Sequence, residues 1–259
     1  MTKVPFTLFS IYYKPFLVPE IPFVHPVQAG RAIHEGFGIE GDDTGDSISQ
    51  LNQNWVELTA AYYIWKNYSS SQVPYWGLVH YRRYFTMPLG FNPFKRIYSL
   101  NASEETFNKV LSPKLEAYIA KQLAEGKIIL PKRYHMYKLK RWSVKQQYIR
   151  DHDADAWNLM EKAVKTLFPE YGESFDRFAR GLDLCVFNIM VASWEFWDAY
   201  LSWLFRILNE VKKEYRIRED PNQRRVFGFL SERLLNVYVI HQQIHKGQKI
   251  KYMPVAYFS

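Results

Sequence analysis

Short apolar runs and amphipathic stretches take turns from one end of this chain to the other, and that alternation restricts its fold more than any other feature. Pro5 to Tyr13 is an aromatic and β-branched run that stops at Lys14-Pro15, as a first strand would. Asn54 and Glu57 have capping-box spacing, and Trp55, Leu58, Tyr62 and Trp65 recur at helical spacing, so a helix is expected over 54–67. A serine-rich turn then leads to a strand over Tyr75 to His80. Ser112-Pro113 opens a helix that Gly126 closes, and Lys127 to Leu130 reads as the next strand, halted by Pro131. Asp153 caps a helix stopped by Pro169, and Leu184 to Val191 reads as a buried strand. Ser193 and Asn222 open two further long helices, and a short strand near Ile250 to Val255 finishes the chain. This interleaving predicts an α/β fold with a mostly parallel, Rossmann-type sheet flanked by helices, as one domain over 1–259.

Charge is unevenly spread. Lys127, Lys132, Arg133, Lys138, Lys140, Arg141, Lys145 and Arg150 fall in one segment without an acidic residue, and these eight equal the whole net excess of +8. Interleaved with Tyr134, Tyr137, Trp142 and Tyr148, they suit a diphosphate, an anionic lipid surface or a nucleic acid. The plain alternative is a solvated helix and loop. No run of eighteen apolar residues occurs, and the amino end reads as a strand, which predicts neither a membrane span nor a signal peptide. Cys185, flanked by Leu184, Val186 and Phe187, is the only cysteine and reads as a small core residue, in agreement with a cytoplasmic protein.

Two segments carry the candidate chemistry. Tyr75-Trp-Gly-Leu-Val-His-Tyr-Arg-Arg-Tyr-Phe85 ends an apolar strand on His80, Arg82 and Arg83, a polar platform suited to a phosphorylated ligand at the mouth of an α/β sheet. Gly41-Asp-Asp-Thr-Gly-Asp-Ser-Ile-Ser49 supplies Asp42, Asp43 and Asp46 as metal ligands, as hydrogen-bond acceptors for a ligand, or as turn formers. Their spacing does not match a calcium loop. Asn188 interrupts an apolar strand, so its amide needs partners, either a ligand hydroxyl or the neighbouring backbone. His135, His152, His241 and His245 form no zinc pattern.

Gly41–Ser49 and Gly77–Phe85, together with Trp55-Val-Glu-Leu-Thr-Ala-Ala-Tyr-Tyr-Ile-Trp-Lys-Asn67 and Phe227-Gly-Phe-Leu-Ser-Glu-Arg-Leu-Leu235, resemble the bacterial DUF4422 family over nearly the whole chain and in the same order. His80-Tyr-Arg-Arg-Tyr-Phe85 is the most specific of the blocks. The chain departs from that family at its first strand, with Tyr13-Lys14 in place of a His-Lys pair. The resemblance implies a GT-A-like glycosyltransferase of capsule, exopolysaccharide or O-antigen clusters, some members being galactofuranosyltransferases.

Such an enzyme holds a nucleoside diphosphate, stabilises the charge that leaves, and lets an acceptor hydroxyl attack the anomeric carbon. Where many GT-A enzymes place an Asp-X-Asp metal site, this chain has His80-Tyr-Arg-Arg83, so Arg82 and Arg83, with Tyr13 and Lys14 beside them, are expected to pair directly with phosphate. No cofactor is then expected; a manganese or magnesium ion gathered by the aspartates is the alternative. The arginines could instead bond backbone carbonyls or the acidic loop. Glu232 is the expected general base of an inverting reaction and Asp183 the second choice, with a Glu232 salt bridge to Arg233 or Arg225 as the competing role. Expected partners are a UDP-sugar, a saccharide or polyprenyl-diphosphate-linked acceptor, and the anionic inner face of the plasma membrane, with no nucleic acid. Competing readings are a nucleic-acid module on 127–150, a glycoside hydrolase using Asp43 and Glu232, and a catalytically silent assembly protein.

Overall fold

The computed structural model describes residues 4–92, 94–135 and 142–259. Its strands are β1 (Thr7–Tyr12), β2 (Val24–Gln28), β3 (Glu40–Gly41), β4 (Tyr75–His80), β5 (Arg83–Phe85), β6 (Ile97–Leu100), β7 (Lys127–Pro131), β8 (Tyr134–His135), β9 (Asp183–Leu184), β10 (Met190–Ser193), β11 (Lys249–Met253) and β12 (Val255–Phe258). The α-helices are α1 (Asn52–Trp55), α2 (Leu58–Asn67), α3 (Glu104–Val110), α4 (Pro113–Ala124), α5 (Val144–Asp151), α6 (Ala154–Leu167), α7 (Gly172–Arg180), α8 (Trp194–Glu214) and α9 (Val226–Lys246). Ten strands form one sheet along the path β11-β7-β10-β4-β1-β2-β3, with β5, β6 and β12 at its flank; β8 and β9 pair separately. The sheet is mixed and mostly parallel, as expected. β1 runs parallel to β2 and β4, placing Leu8 beside both Val24 and Gly77, whereas β10 is antiparallel to β4 and β7.

The central strands read as nearly continuous apolar runs because both faces are covered. Successive side chains point to opposite faces, so Phe9, Ile11, Trp76 and Leu78 join one core with α2, α6, α8 and α9. Leu8 and Val79 join a second core with Phe107, Leu115, Ile119 and Phe258. Fully burying a large apolar side chain contributes about 1.5–3 kcal/mol. Aromatic stacking fixes the first core further. Trp76 and Trp197 stack with ring centroids 4.1 Å apart, and the Trp197 indole N–H donates to the Trp76 carbonyl at 2.8 Å.

Several caps are found where the sequence places them: Ser112, Asp153 and Ser193 each accept a backbone N–H at the start of α4, α6 and α8. Gly126 ends the α4 segment at φ +70°, a conformation that favours glycine. Other expectations are corrected. The helix over 54–67 is interrupted at Val56, whose φ of +44° separates α1 from α2, and no capping box forms: Asn54 Nδ2 donates to Arg224 O and Glu57 turns away. The Asn52 amide stabilises this break by donating to Val56 O at 2.7 Å and Thr59 Oγ1 at 3.0 Å. The expected strand Leu184 to Val191 is likewise broken, because Phe187 and Asn188 sit at φ +82° and +52°. Only its two ends, in β9 and β10, join sheets. Asn222 caps nothing, a 3-10 turn over Gln223–Arg225 preceding α9. Pro254 splits the final strand into β11 and β12.

The basic segment is partly neutralised. Lys127 pairs with Glu125, Lys145 with Glu161 and Arg150 with Asp151, while Tyr148 is buried and unable to stack on a base. Lys138, Lys140, Arg141 and Tyr137 lie outside the described residues.

Gly77 sits where β4 meets β1 and β10. A Cβ there would lie 2.7 Å from Leu8 Cδ2, 2.9 Å from Val191 Cγ2 and 3.2 Å from the Met190 carbonyl oxygen. Gly77→Ala should lower unfolding free energy in urea by about 1–3 kcal/mol, with little change in the slope. An unchanged midpoint would contradict this packing.

Candidate functional site

The ladder of β4 continues into a tight turn. Tyr81 N–H donates to Ile11 O at 3.1 Å, Phe258 N–H donates to Arg82 O at 2.9 Å, and Arg83 is paired with His80 and Tyr257. The backbone of residues 80–83 is thus clamped between β1 and β12. Both arginine side chains lie over rings: Arg82 over Tyr81 at 5.1 Å and Tyr257 at 5.3 Å, Arg83 over Phe187 at 4.8 Å and Tyr257 at 5.4 Å. The Nε atom of each is buried without a hydrogen-bond partner, and neither arginine makes an ion pair among the described residues. The expected alternative, an arginine spent on the acidic loop, is not observed. A buried charged donor without an acceptor is costly, which makes these guanidinium groups the conspicuous unsatisfied feature of the sheet edge.

Tyr13 and Lys14 are exposed beside this turn, Tyr13 by 55%. Tyr81 Oη donates to Tyr13 Oη at 3.3 Å. That bond, with the positive charges of Lys14, Arg82 and Arg225, holds the Tyr13 hydroxyl below its ordinary pKa, against the opposing effect of burial. Lys14, Arg82, Arg83 and Arg225 therefore create one positive region.

The facing wall is the left-handed turn at Phe187 and Asn188. Phe187 N–H donates to Glu232 Oε1 at 2.6 Å, and His80 Nε2 is 2.6 Å from Phe187 O. Asn188 Nδ2 lies within hydrogen-bond distance of Glu57 Oε1 (2.7 Å), Ser231 Oγ (2.7 Å) and Gly228 O (3.1 Å). Burial, with Arg83 and Arg225, depresses the His80 pKa against the opposing charge of Glu57. A neutral His80 donating from Nε2 leaves Nδ1 as an acceptor. The other Glu232 oxygen binds Arg233, itself buried and donating to Gln147 Oε1 at 3.0 Å. Glu232 thus performs the ion-pair role weighed against its catalytic one, inside the fold rather than on a solvated helix face. Glu57 keeps its second oxygen without a hydrogen-bond partner among the described residues.

The aspartates do not gather at this turn. Asp42 is fully buried, accepting from Gly30 N–H at 3.0 Å, Arg31 N–H at 3.1 Å and the Ser49 hydroxyl at 2.5 Å, so it organises its own loop and cannot meet a ligand. Asp43 is exposed and lies near Gly41 and Arg31. Asp46 accepts from Tyr62 at 3.1 Å, and its backbone pairs with the Asn67 amide, which holds it at the far end of α2 from Glu57. Among the described residues no group of three His, Cys, Asp or Glu side chains could hold a metal ion. The turn that follows β4, Tyr81-Arg-Arg83, presents two guanidinium groups and no carboxylate of its own.

Asp183 is on the other side of the Phe187 turn. It bonds His135 Nδ1 at 2.9 Å and lines a cavity of about 290 Å³ with Arg133, Arg177, Asn236, Gln243 and Tyr252. Burial pushes the Cys185 thiol beside it up to about 12, so that thiol stays protonated and unreactive near neutral pH. Sequence reasoning missed Glu57, Arg225 and Tyr257. Glu57 was read as a cap, and no local pattern brings Tyr257 or Arg225 to the end of a strand far away in the chain.

Behind Glu232, His152 packs 4.1 Å from Phe229, and burial together with Arg233 lowers its pKa from 6.5 to about 4. The folded protein keeps this imidazole neutral while the unfolded chain protonates it below 6.5, so its contribution to stability is lost as pH falls from 6.5 towards about 4. Urea midpoints should decline across that window, and His152→Gln should flatten the decline; an equal slope in the variant would contradict the assignment.

The chain matches the family model described as a domain of unknown function (DUF4422) over residues 7–243. No curated protein matches it. Its fold is shared with the apo structure of the WbbM bifunctional glycosyltransferase, at TM-score 0.89 and 25% identity, over 98% of this chain and 45% of that one. The chain therefore spans under half the length of the protein it resembles.

Proposed function

The chain belongs to the DUF4422 family, and from that premise we propose that it is a glycosyltransferase that holds the diphosphate of a nucleotide sugar on Arg82 and Arg83. One observation carries the reading: two guanidinium groups at the end of a central strand, each with a buried Nε that has no acceptor among the described residues. Phosphate oxygens satisfy such donors with charge-assisted hydrogen bonds, and the surrounding rings keep the planar groups in place without neutralising them. Lys14 and Arg225 add charge at the mouth, and Tyr13 offers a hydroxyl. No step here is routed through a divalent cation.

The reaction is an inverting displacement. An acceptor hydroxyl gives its proton to a carboxylate, its oxygen forms a bond to the anomeric carbon, and the bond from that carbon to the diphosphate oxygen breaks, its electron pair leaving with the nucleoside diphosphate. The guanidinium groups stabilise the charge that develops there. Glu232 has both oxygens engaged, one by Phe187 N–H and one by Arg233, so its role in this reading is to position the Phe187 turn. Glu57, with one free oxygen and a bond to Asn188, takes the place of general base. Asp183, on the cavity side, belongs to the acceptor half of the molecule. The substrate class follows the family resemblance: a UDP-linked galactofuranose or galactose, passed to a saccharide or polyprenyl-diphosphate-linked acceptor of bacterial surface polysaccharide at the inner face of the membrane.

UDP should raise the melting temperature in excess EDTA. Arg82→Ala and Arg83→Ala should each weaken that binding by roughly 10–100-fold, as expected for a lost hydrogen bond to a charged group. Full protection of both variants, or protection that requires manganese, would overturn the metal-free diphosphate site.

A further inference from the structure

We propose that the loop between β5 and β6 docks the protein on an anionic lipid bilayer, with Phe91 and Phe94 entering the headgroup boundary and Lys95 and Arg96 binding lipid phosphates. This deepens the membrane attachment in the proposed function, although its observations are independent of the transferase chemistry. Phe91 is 107% exposed and Phe94 84% exposed, the most exposed large apolar side chains among the described residues. Both are rooted on a shaped loop. Met87 and Leu89 pack against the second core, and beyond them the Asn92 side chain accepts Phe94 N–H at 2.9 Å while its carbonyl accepts Lys95 N–H at 3.2 Å. Neighbouring protruding rings with a polar rim mark an interaction surface.

Charge identifies what covers them. The sequence from Met87 to Ser103 has no acidic residue, nor has the segment from Lys127 to Arg150. The structure joins the two: Arg96 donates to Arg133 O at 3.1 Å, Lys132 donates to Lys95 O at 3.3 Å, and the Arg96 guanidinium lies 5.3 Å from the Tyr134 ring, itself 45% exposed. Two protruding phenylalanines are therefore followed by Lys95 and Arg96, with Lys132 and the half-exposed Tyr134 brought alongside by these contacts, while the Arg133 side chain is bonded to Tyr252 Oη. Cations at the rim and aromatic rings at the tip match anionic headgroups above an apolar layer. No helix among the described residues is long and apolar enough to cross a membrane. Arg133 also lines the cavity that holds Asp183, which sets the docking face beside that cavity.

Flotation on a density gradient tests this with the full chain. With vesicles of phosphatidylcholine containing about a third phosphatidylglycerol, the protein should float, and with phosphatidylcholine alone it should not. The Phe91→Ser, Phe94→Ser double variant should lose at least about tenfold in partitioning, and Lys95→Glu a similar factor, at unchanged melting temperature. Unbound wild-type protein, or undiminished flotation of the double variant, would overturn the proposal. A concentration-dependent dimer that the double variant dissolves in sedimentation would overturn it too, by assigning the face to a second copy. Flotation that persists in a protein without UDP protection would instead remove the transferase reading and leave this one standing.

Discussion

Strand β4, inserted between parallel β1 and antiparallel β10, is the element on which the candidate site depends. Its backbone is satisfied on both sides and its faces are sealed by separate cores, so the residues that follow it inherit a fixed direction. Tyr81 extends the ladder by its bond to Ile11 O, and β12 closes on Arg82 and Arg83. The two arginines are thus aimed by main-chain hydrogen bonds rather than by acidic partners. That leaves their charge available to a ligand, which an ion-paired arginine could not offer without first breaking its pair.

Strain on the opposite wall serves the same end. Two consecutive residues outside glycine's usual monopoly of positive φ, Phe187 and Asn188, cost of order 1–3 kcal/mol each, and such turns persist only where surrounding groups over-determine them. Here Glu232, His80, Glu57, Ser231 and Gly228 all bond the turn. The Phe187 ring that results forms part of the surface over which Arg83 lies. A site organised before the ligand arrives spends less of the binding free energy on ordering.

Legibility from sequence followed the range of the interaction. Caps at Ser112, Asp153 and Ser193, the strand at Tyr75–His80 and the interleaved α/β pattern are local, and they were readable. The break at Val56 was not, because it is stabilised by the Asn52 amide and by a glycine on α9, Gly228, that only packing brings near. The same break turns Glu57 from an apparent cap into a partner of Asn188. Asp42 and Asp46 looked equivalent to Asp43 in a loop of turn formers, yet one is buried by its own loop and another is held by α2. Their positions depend on where the loop runs across the sheet edge, and composition carries no trace of that.

The two halves of the account meet at the end of β4. Arg83 opens β5, and the chain leaving β5 enters the loop that carries Phe91 and Phe94, so the turn proposed to hold phosphate and the loop proposed to meet lipid are consecutive. An acceptor held at a membrane would then approach from the side on which Arg133 and Asp183 line their cavity. The most direct measurement is a crystal structure with a UDP-sugar or UDP bound in the presence of EDTA. Diphosphate oxygens within about 3 Å of the Arg82 and Arg83 guanidinium nitrogens are predicted; a diphosphate seated elsewhere, with both arginines still lying unused on their rings, would contradict the account.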